Sequence, residues 1–305
     1  MPKKKRLKKR VKNWFIYYAV KYGYAFLLGI KRDTAFKFLQ TLGLIGYYIV
    51  PSERKKAVKH LKMVYGDRRN NRQIKKMTKQ VFINLCRNMA DAFRVGTLGP
   101  HNIDNYVTAY GLEKIDRALS KGKGLLALTG HVGNWELMAA YLAMKGYSLN
   151  VIGAPIYDPR IDELVVKNRC NSGLNYIARG SATRGILRAL KRKEIIGILM
   201  DQDSKRVDGV FVDFLGKEAH TPVGPVILAM KTGAPLIPMG IHIKGNNTHV
   251  IEVGDEVGLK LTGDSEKDRV YNTLLCSKAI EKHIIKYPTQ WVWMHRRWKT
   301  KRKDI

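Results

Sequence analysis

Residues 124–138, Gly124-Leu125-Leu126-Ala127-Leu128-Thr129-Gly130-His131-Val132-Gly133-Asn134-Trp135-Glu136-Leu137-Met138, are the stretch on which the reading of this chain turns. Leu125 to Leu128 form an apolar run too brief for a typical helix and are flanked by glycine, which is how a buried strand reads. Thr129 to Asn134 is a glycine-punctuated turn, and the Leu-, Met- and Ala-rich run that starts at Trp135 predicts a helix. His131 therefore falls just past a strand, and Glu136 in the first turn of the following helix. At an offset of five residues, the turn can fold back and bring the carboxylate beside the imidazole. A carboxylate that accepts one ring N–H fixes the tautomer and leaves the other nitrogen to take a proton from a hydroxyl. The same spacing also fits a histidine that caps a helix and a glutamate favoured by the helix N-terminal dipole.

Working outward, strands and helices alternate. Strands are predicted at 125–129, 148–153, 174–178 and 195–200, separated by helices at 135–145, from about Pro159 to Asn171, and at 182–192. The strand Ile195 to Met200 runs into Asp201-Gln202-Asp203. A helix at 223–232, strands near 235–242 and 248–253, and a long helix around 266–286 complete the pattern, and residues 53–120 read as mostly helical, with an amphipathic helix at Leu112–Leu119. This alternation predicts an α/β fold, a mixed and largely parallel sheet flanked by helices. Chemistry in such sheets gathers at the carboxyl ends of strands, where both His131 and Asp201 fall. No internal repeat is present.

The 305 residues suit one large α/β domain or two smaller ones. Lys and Arg outnumber Asp and Glu by 56 to 25, a formal charge of +31, which calls for an acidic partner: nucleic acid, anionic lipid or an acidic protein. Cys86, Cys170 and Cys276 are far apart and form no CxxC, so neither a disulfide framework nor a zinc site is expected. No cleavable signal peptide is evident.

Residues 1–12 are nearly all Lys and Arg, and two apolar, aromatic-rich segments follow, Trp14 to Ile30 and Phe36 to Val50. Lys21 sits mid-segment, where a bilayer makes it costly, while Trp and Tyr favour the headgroup level. Residues 1–51 are accordingly expected to be a basic arm with helices that embed in or lie on a membrane. One tilted span is the rival, and two ordinary core helices the plain alternative. Residues 52–305 are expected to form the catalytic domain.

Several chemistries find no support. There is no GxSxG nucleophile elbow, no GK[ST] phosphate loop and no HExxH. Asp201-Gln202-Asp203-Ser204-Lys205 begins like a calcium loop, but places Lys at a ligand position and lacks the required glycine.

His131-Val132-Gly133-Asn134-Trp135-Glu136 resembles the His-x4-Asp/Glu motif of glycerolipid and glycolipid acyltransferases, in the form carried by the late acyltransferases of lipid A biosynthesis. The resemblance extends through Asp201-Gln202-Asp203, Gly209 to Gly216 and Ala219-His220-Thr221-Pro222 to the ending Trp291 to Thr300. It implies a glycerolipid-acyltransferase-like fold and transfer of an acyl chain from a thioester to a sugar-linked hydroxyl. His131 would be the general base, Glu136 its orienting partner, and Arg169 an oxyanion donor, helped by backbone N–H groups near Gly133. Asn134 would cap the helix or touch substrate, Trp135 would pack in the core or the acyl groove, and Asp201 would help order the site. His295, Arg296 and Arg297 would grip phosphates of an anionic lipid, or form a basic surface. His220 reads as a turn residue.

The resemblance implies acyl carrier protein or acyl-CoA as donor, an anionic glycolipid as acceptor, no cofactor and no metal. The place would be the cytoplasmic face of a bacterial inner membrane, with an N-terminal anchor. A phospholipid acyltransferase is the nearby alternative. A nucleic-acid-binding protein is the alternative of another class, although no nucleic-acid-binding module is present and nucleic acid is not expected as a partner.

Overall fold

The computed structural model describes residues 3–179, 182–205 and 207–304, with side chains from residue 11 onward. Met1 and Pro2 of the basic arm, and the side chains of residues 3–10, lie outside this description. The chain begins with four helices: α1 (Lys3–Gly29), α2 (Arg32–Ile49), α3 (Pro51–Tyr65) and α4 (Asn71–Ala92). Next come β1 (Val107–Tyr110), α5 (Leu112–Leu119), β2 (Leu125–Thr129), α6 (Trp135–Met144), β3 (Leu149–Gly153) and α7 (Pro159–Asn171). They are followed by β4 (Asn175–Ala178), α8 (Ala182–Lys191), β5 (Ile195–Leu199), β6 (Gly209–Phe214), β7 (Lys217–Pro222) and α9 (Gly224–Thr232). The chain closes with β8 (Leu236–Ile243), β9 (His249–Val253) and α10 (Ser265–Lys286).

The main sheet runs in the order β1-β9-β8-β2-β5-β3-β4. All of its pairings are parallel except β8 with β9. The expected mixed, mostly parallel sheet flanked by helices is therefore observed. β2 is central and buried at every position, which is why it reads as a continuous apolar run rather than an alternating one. Its alternate residues feed two cores. Leu126 and Leu128 pack with Val226, Ile280, Trp291 and Trp293, while Leu125 and Ala127 pack with Leu137, Met138, Leu149 and Ile237.

Two departures from the expected pattern have local causes. Residues 93–106, within the stretch read as helical, break into short 3-10 turns at Val95–Thr97 and Ile103–Asn105, interrupted by Gly99-Pro100. β1, only four residues long, then pairs with β9 far away in the chain, a contact no local pattern signals. β6 and β7 form a separate hairpin whose turn residues, Leu215 and Gly216, both have positive φ, 53° and 78°. A tight turn between strands asks for this geometry, and leucine is the residue least expected to supply it.

The N-terminal helices are not loosely attached. α2 buries Ala35, Phe36, Leu39 and Gly43. It lies so close to α4 that a Cβ on Gly43 would fall 2.7 Å from the Phe82 carbonyl oxygen. Arg32 forks onto the buried Asp91 carboxylate at 2.9 and 2.6 Å, and the same carboxylate accepts from His249 Nε2 at 2.9 Å. The Arg32 guanidinium also lies over the rings of Phe36 and Tyr106. Helix α2 is thereby joined to α4 and to the sheet at β9. Among the described residues no helix is long and apolar enough to cross a membrane.

Candidate active site

β2 and β5 are neighbouring parallel strands paired Thr129 to Leu199. Continuing that register two residues past each strand sets His131 opposite Asp201. The side chains meet there: His131 Nδ1 lies 2.7 Å from Asp201 Oδ1. Asp201 Oδ2 accepts the His131 backbone N–H at 2.8 Å and the Trp291 indole N–H at 2.7 Å. Asp201 is buried and every donor it faces favours its ionised form. Burial alone would raise its pKa, but the His131 charge and these hydrogen bonds outweigh it and hold the carboxyl at about 2. Burial also disfavours the charged imidazole of His131. The Asp201 carboxylate, with a smaller contribution from Glu136, reverses that and raises the His131 pKa above 6.5.

The carboxylate accepts a hydrogen bond from Nδ1–H, so the neutral ring carries its lone pair on Nε2. The expected partner of the imidazole is thus corrected: Asp201 orients His131, and Glu136 does not. Glu136 instead receives a two-pronged grip from Arg169 on α7, Nε to Oε2 at 2.8 Å and Nη2 to Oε1 at 2.5 Å. One turn of α6 directs the Glu136 carboxylate toward α7, while the strand register brings a different acid to the histidine. Arg169 commits Nε and Nη2 to Glu136, which keeps its pKa raised, and leaves Nη1 outside that pair. The signal for Asp201 was its place at the end of a strand, and pairing of that strand with β2 was the missing information.

The glycines of the turn are there for space. A Cβ on Gly133, at φ +60°, would sit 2.1 Å from the Ile241 carbonyl oxygen, a clash no side chain could avoid. The expected backbone donors near Gly133 are already used. Gly133 N–H donates to Gln290 O at 3.0 Å, and Val132 N–H to Gly130 O at 2.7 Å. The amides of Trp135 and Glu136 open helix α6 and have no acceptor among the described residues. The 290–292 segment runs beside the loop, with Val132 and Trp291 bridged as in a sheet. This gives the C-terminal Trp291 its role: it straps the turn and completes the hydrogen bonding of Asp201.

Asn134, offered as a cap or a substrate contact, caps α6. It is buried, accepts from Leu137 N–H at 3.1 Å, and donates from Nδ2 to Asn88 O at 2.9 Å. Arg297 is also corrected. It is fully buried and donates to the His220 carbonyl and Thr221 hydroxyl, its guanidinium over the Phe214 ring. Burial lowers its pKa to about 10, against the carboxylates of Asp201, Asp203 and Glu281. It stays a cation, but one spent on holding the β6–β7 hairpin. His220 lies in β7 rather than a turn, 3.3 Å from Asp203. Arg296, by contrast, is exposed.

Trp135 stands edge-on to the His131 ring, centroids 5.0 Å apart, and lines an apolar groove between α6, β3 and β5. Met138, Leu142, Val151 and Leu199 form its walls, and Glu136 and Arg169 its polar end. The groove is narrow, with a cavity volume of about 50 Å³. Gly197 on β5 contributes to its breadth by supplying no side chain. Among the described residues, no three His, Cys, Asp or Glu side chains are grouped to hold a metal.

A hydrogen-bonded His–Asp pair beside an apolar groove, at the carboxyl ends of a mostly parallel sheet, defines a site suited to transfer of an apolar group to a hydroxyl. The chain belongs to the bacterial lipid A biosynthesis acyltransferase family, whose profile matches residues 1–300. It is 29% identical over 206 residues to the lipid A biosynthesis lauroyltransferase of Escherichia coli K12, covering 67% of this chain and 65% of that protein. It is 24% identical over 161 residues to a phosphatidylinositol mannoside acyltransferase of Mycobacterium tuberculosis, strain CDC 1551, covering 51% of each. It is 26% identical over 197 residues to the lipid A biosynthesis palmitoleoyltransferase of E. coli K12, covering 63% of this chain and 61% of that one. The chain thus spans between half and two thirds of these relatives' length.

Proposed function

We propose that this protein is an O-acyltransferase that moves a fatty acyl chain from an acyl thioester, on acyl carrier protein or coenzyme A, to a sugar hydroxyl of an anionic glycolipid. The observation that carries the reading is the 2.7 Å contact between His131 Nδ1 and the buried Asp201 carboxylate, set beside an apolar groove. His131 Nε2 takes the proton of the acceptor hydroxyl as its oxygen attacks the thioester carbonyl. The tetrahedral intermediate collapses with cleavage of the C–S bond, and the imidazolium returns the proton to the departing thiolate. Asp201 holds the tautomer and offsets the charge of the imidazolium. The amides of Trp135 and Glu136, at the positive end of α6, and the remaining Nη1 of Arg169 are the candidate oxyanion donors. The acyl chain lies along Met138, Leu142, Val151 and Leu199.

The relatives are named for lipid A and for phosphatidylinositol mannosides. Their common denominator is a sugar hydroxyl on an anionic lipid, and a formal charge of +31 suits both that acceptor and an acidic carrier.

The N-terminal helices supply a membrane-facing surface. Phe38, Leu42, Ile45 and Ile49 repeat at helical spacing along α2 and are all exposed, opposite the buried Phe36 and Leu39. Phe26 of α1 meets Phe38 edge-to-face at 5.5 Å, which extends the stripe onto α1 with Phe15 and Tyr22. A basic arm beside an aromatic–aliphatic stripe fits a helix lying in the headgroup region of an anionic leaflet. We place it at the cytoplasmic face of a bacterial inner membrane.

The test is transfer by purified protein from acyl carrier protein and acyl-CoA donors to lipid A precursors and to mannosylated phosphatidylinositol, read by mass spectrometry. Ester formation that is lost in His131→Ala supports the reading. Failure to acylate any of these acceptors, or undiminished transfer by His131→Ala, overturns it.

A further inference from the structure

Beyond the carboxyl ends of β4 and β5 lies a second, open basin that the acyl transfer itself does not use. Its rim is cationic: Lys56 from α3, Arg179 after β4, Lys205 after β5, and Arg296 and Lys299 from the C-terminal segment. Its cavity volume is about 560 Å³. The acids nearby are already spent. Lys56 pairs with Glu53 at 2.6 Å and Lys205 with Asp304 at 3.6 Å. Asp203, the basin's one acidic lining residue, is buried, and its carboxylate accepts from Thr300 N–H at 2.8 Å with His220 Nδ1 at 3.3 Å. Among the described residues, Arg179, Arg296 and Lys299 have no carboxylate within salt-bridge reach. Like charges held this close repel, so the arrangement favours an anion between them.

His295 joins the basin to the catalytic pair. Its Nε2 accepts the Asp203 backbone N–H at 3.1 Å, which leaves Nδ1 as the protonated nitrogen of the neutral ring. The charges of Asp201 and His131 both act on it. Asp203 follows Asp201 by two residues, so one short segment after β5 orients the base and floors the basin. The apolar groove lies on the α6 side of the same strands.

We propose that this basin is a phosphate-binding subsite, taking a phosphate monoester or diphosphate attached to one of the two substrates while the acyl chain occupies the groove. The inference deepens the acyltransferase reading and rests on it for the identity of the substrates. Arg179 and Arg296 supply planar forks suited to phosphate oxygens, Lys56, Lys205 and Lys299 point charges, and His295 a neutral donor on the lining. Two phosphate sources share this chemistry: the acceptor's sugar phosphates, and the phosphates of the donor's pantetheine or nucleotide arm.

Titration of the full-length protein in neutral detergent with inorganic pyrophosphate, followed by calorimetry, tests the site without requiring catalysis. Arg296 and Lys299 are exposed, so the double variant Arg296→Gln/Lys299→Gln should fold. The expected result is pyrophosphate affinity at least about ten-fold weaker, a loss of about 1.4 kcal/mol, while Lys114→Gln/Lys121→Gln, remote on α5 and its following turn, binds as wild type. Undiminished affinity in the basin variant, or an equal loss in the remote one, overturns the proposal. Steady-state arms then separate the sources. A KM increase seen with a phosphorylated acceptor but not its dephosphorylated form assigns the basin to the acceptor. An increase seen with acyl-CoA but not phosphate-free acyl-pantetheine assigns it to the donor. No increase with either phosphate-bearing substrate overturns the subsite's role. Pyrophosphate binding that follows the variants in a protein that acylates nothing leaves the subsite standing and removes the acyltransferase reading.

Discussion

Asp201 accepts from the His131 ring, the His131 amide and the Trp291 indole, so its removal reaches both the tautomer and the turn that carries the base. Asp201→Asn keeps the shape and removes the charge. It is expected to lower kcat by about 10³-fold, in the range of a lost acid–base pair, with melting behaviour that separates rate from folding. The sign of the pH dependence follows from the His131 pKa. The base must be neutral, and Asp201 raises that pKa above 6.5, so kcat/KM should rise with pH through a midpoint above 6.5. In Asp201→Asn the burial penalty is left unopposed by that carboxylate, and the midpoint should move to lower pH. Glu136→Gln should move it far less, since Glu136 is held by Arg169 rather than by the imidazole. A profile in which Glu136→Gln shifts the midpoint as far as Asp201→Asn would return the orienting role to Glu136.

At the scale of elements, the turn between β2 and α6 has one backbone path. Gly133→Ala places a methyl group against the Ile241 carbonyl at positive φ, a strain of about 1–3 kcal/mol. It should lower the melting temperature and the activity together, as thermal unfolding and turnover would report. Gly197, in the middle of β5, is the opposite case: an added Cβ meets its nearest neighbour, Asn150 O, at 3.6 Å, so a larger side chain fits the fold and fills the groove. Gly197→Met is therefore expected to fold normally and to shift the preferred acyl donor to a shorter chain, measured by competition between thioesters of different length. Unchanged chain preference would show that the acyl chain lies elsewhere.

For the molecule as a whole, the apolar stripe on α2 and the base at the sheet end belong to one rigid body, because Arg32, Gly43 and Asp91 lock α2 to α4 and to β9. Membrane contact and catalysis should then be separable by surface substitutions that leave the lock intact. Phe38→Ser/Leu42→Ser/Ile45→Ser is expected to weaken binding to vesicles containing anionic phospholipid, measured by co-sedimentation. Turnover of a detergent-dispersed acceptor should change little. Full retention on vesicles would place the attachment outside α2.

Local sequence determined a good deal of this protein. Short apolar runs bounded by glycine placed the strands of the sheet from β2 onward, His131 and Asp201 were both legible as residues at strand ends, and the charge pointed to acidic partners. These are properties of neighbours in the chain, set by periodicity and by the backbone demands of glycine and proline. Which acid meets His131 was not legible, because it depends on the register between β2 and β5, seventy residues apart. Nearness along the chain favoured Glu136, and the tertiary structure gave that carboxylate to Arg169. The fates of Asn134 and Arg297 and the pairing of the four-residue β1 were decided in the same way, by partners distant in sequence whose packing no local pattern encodes.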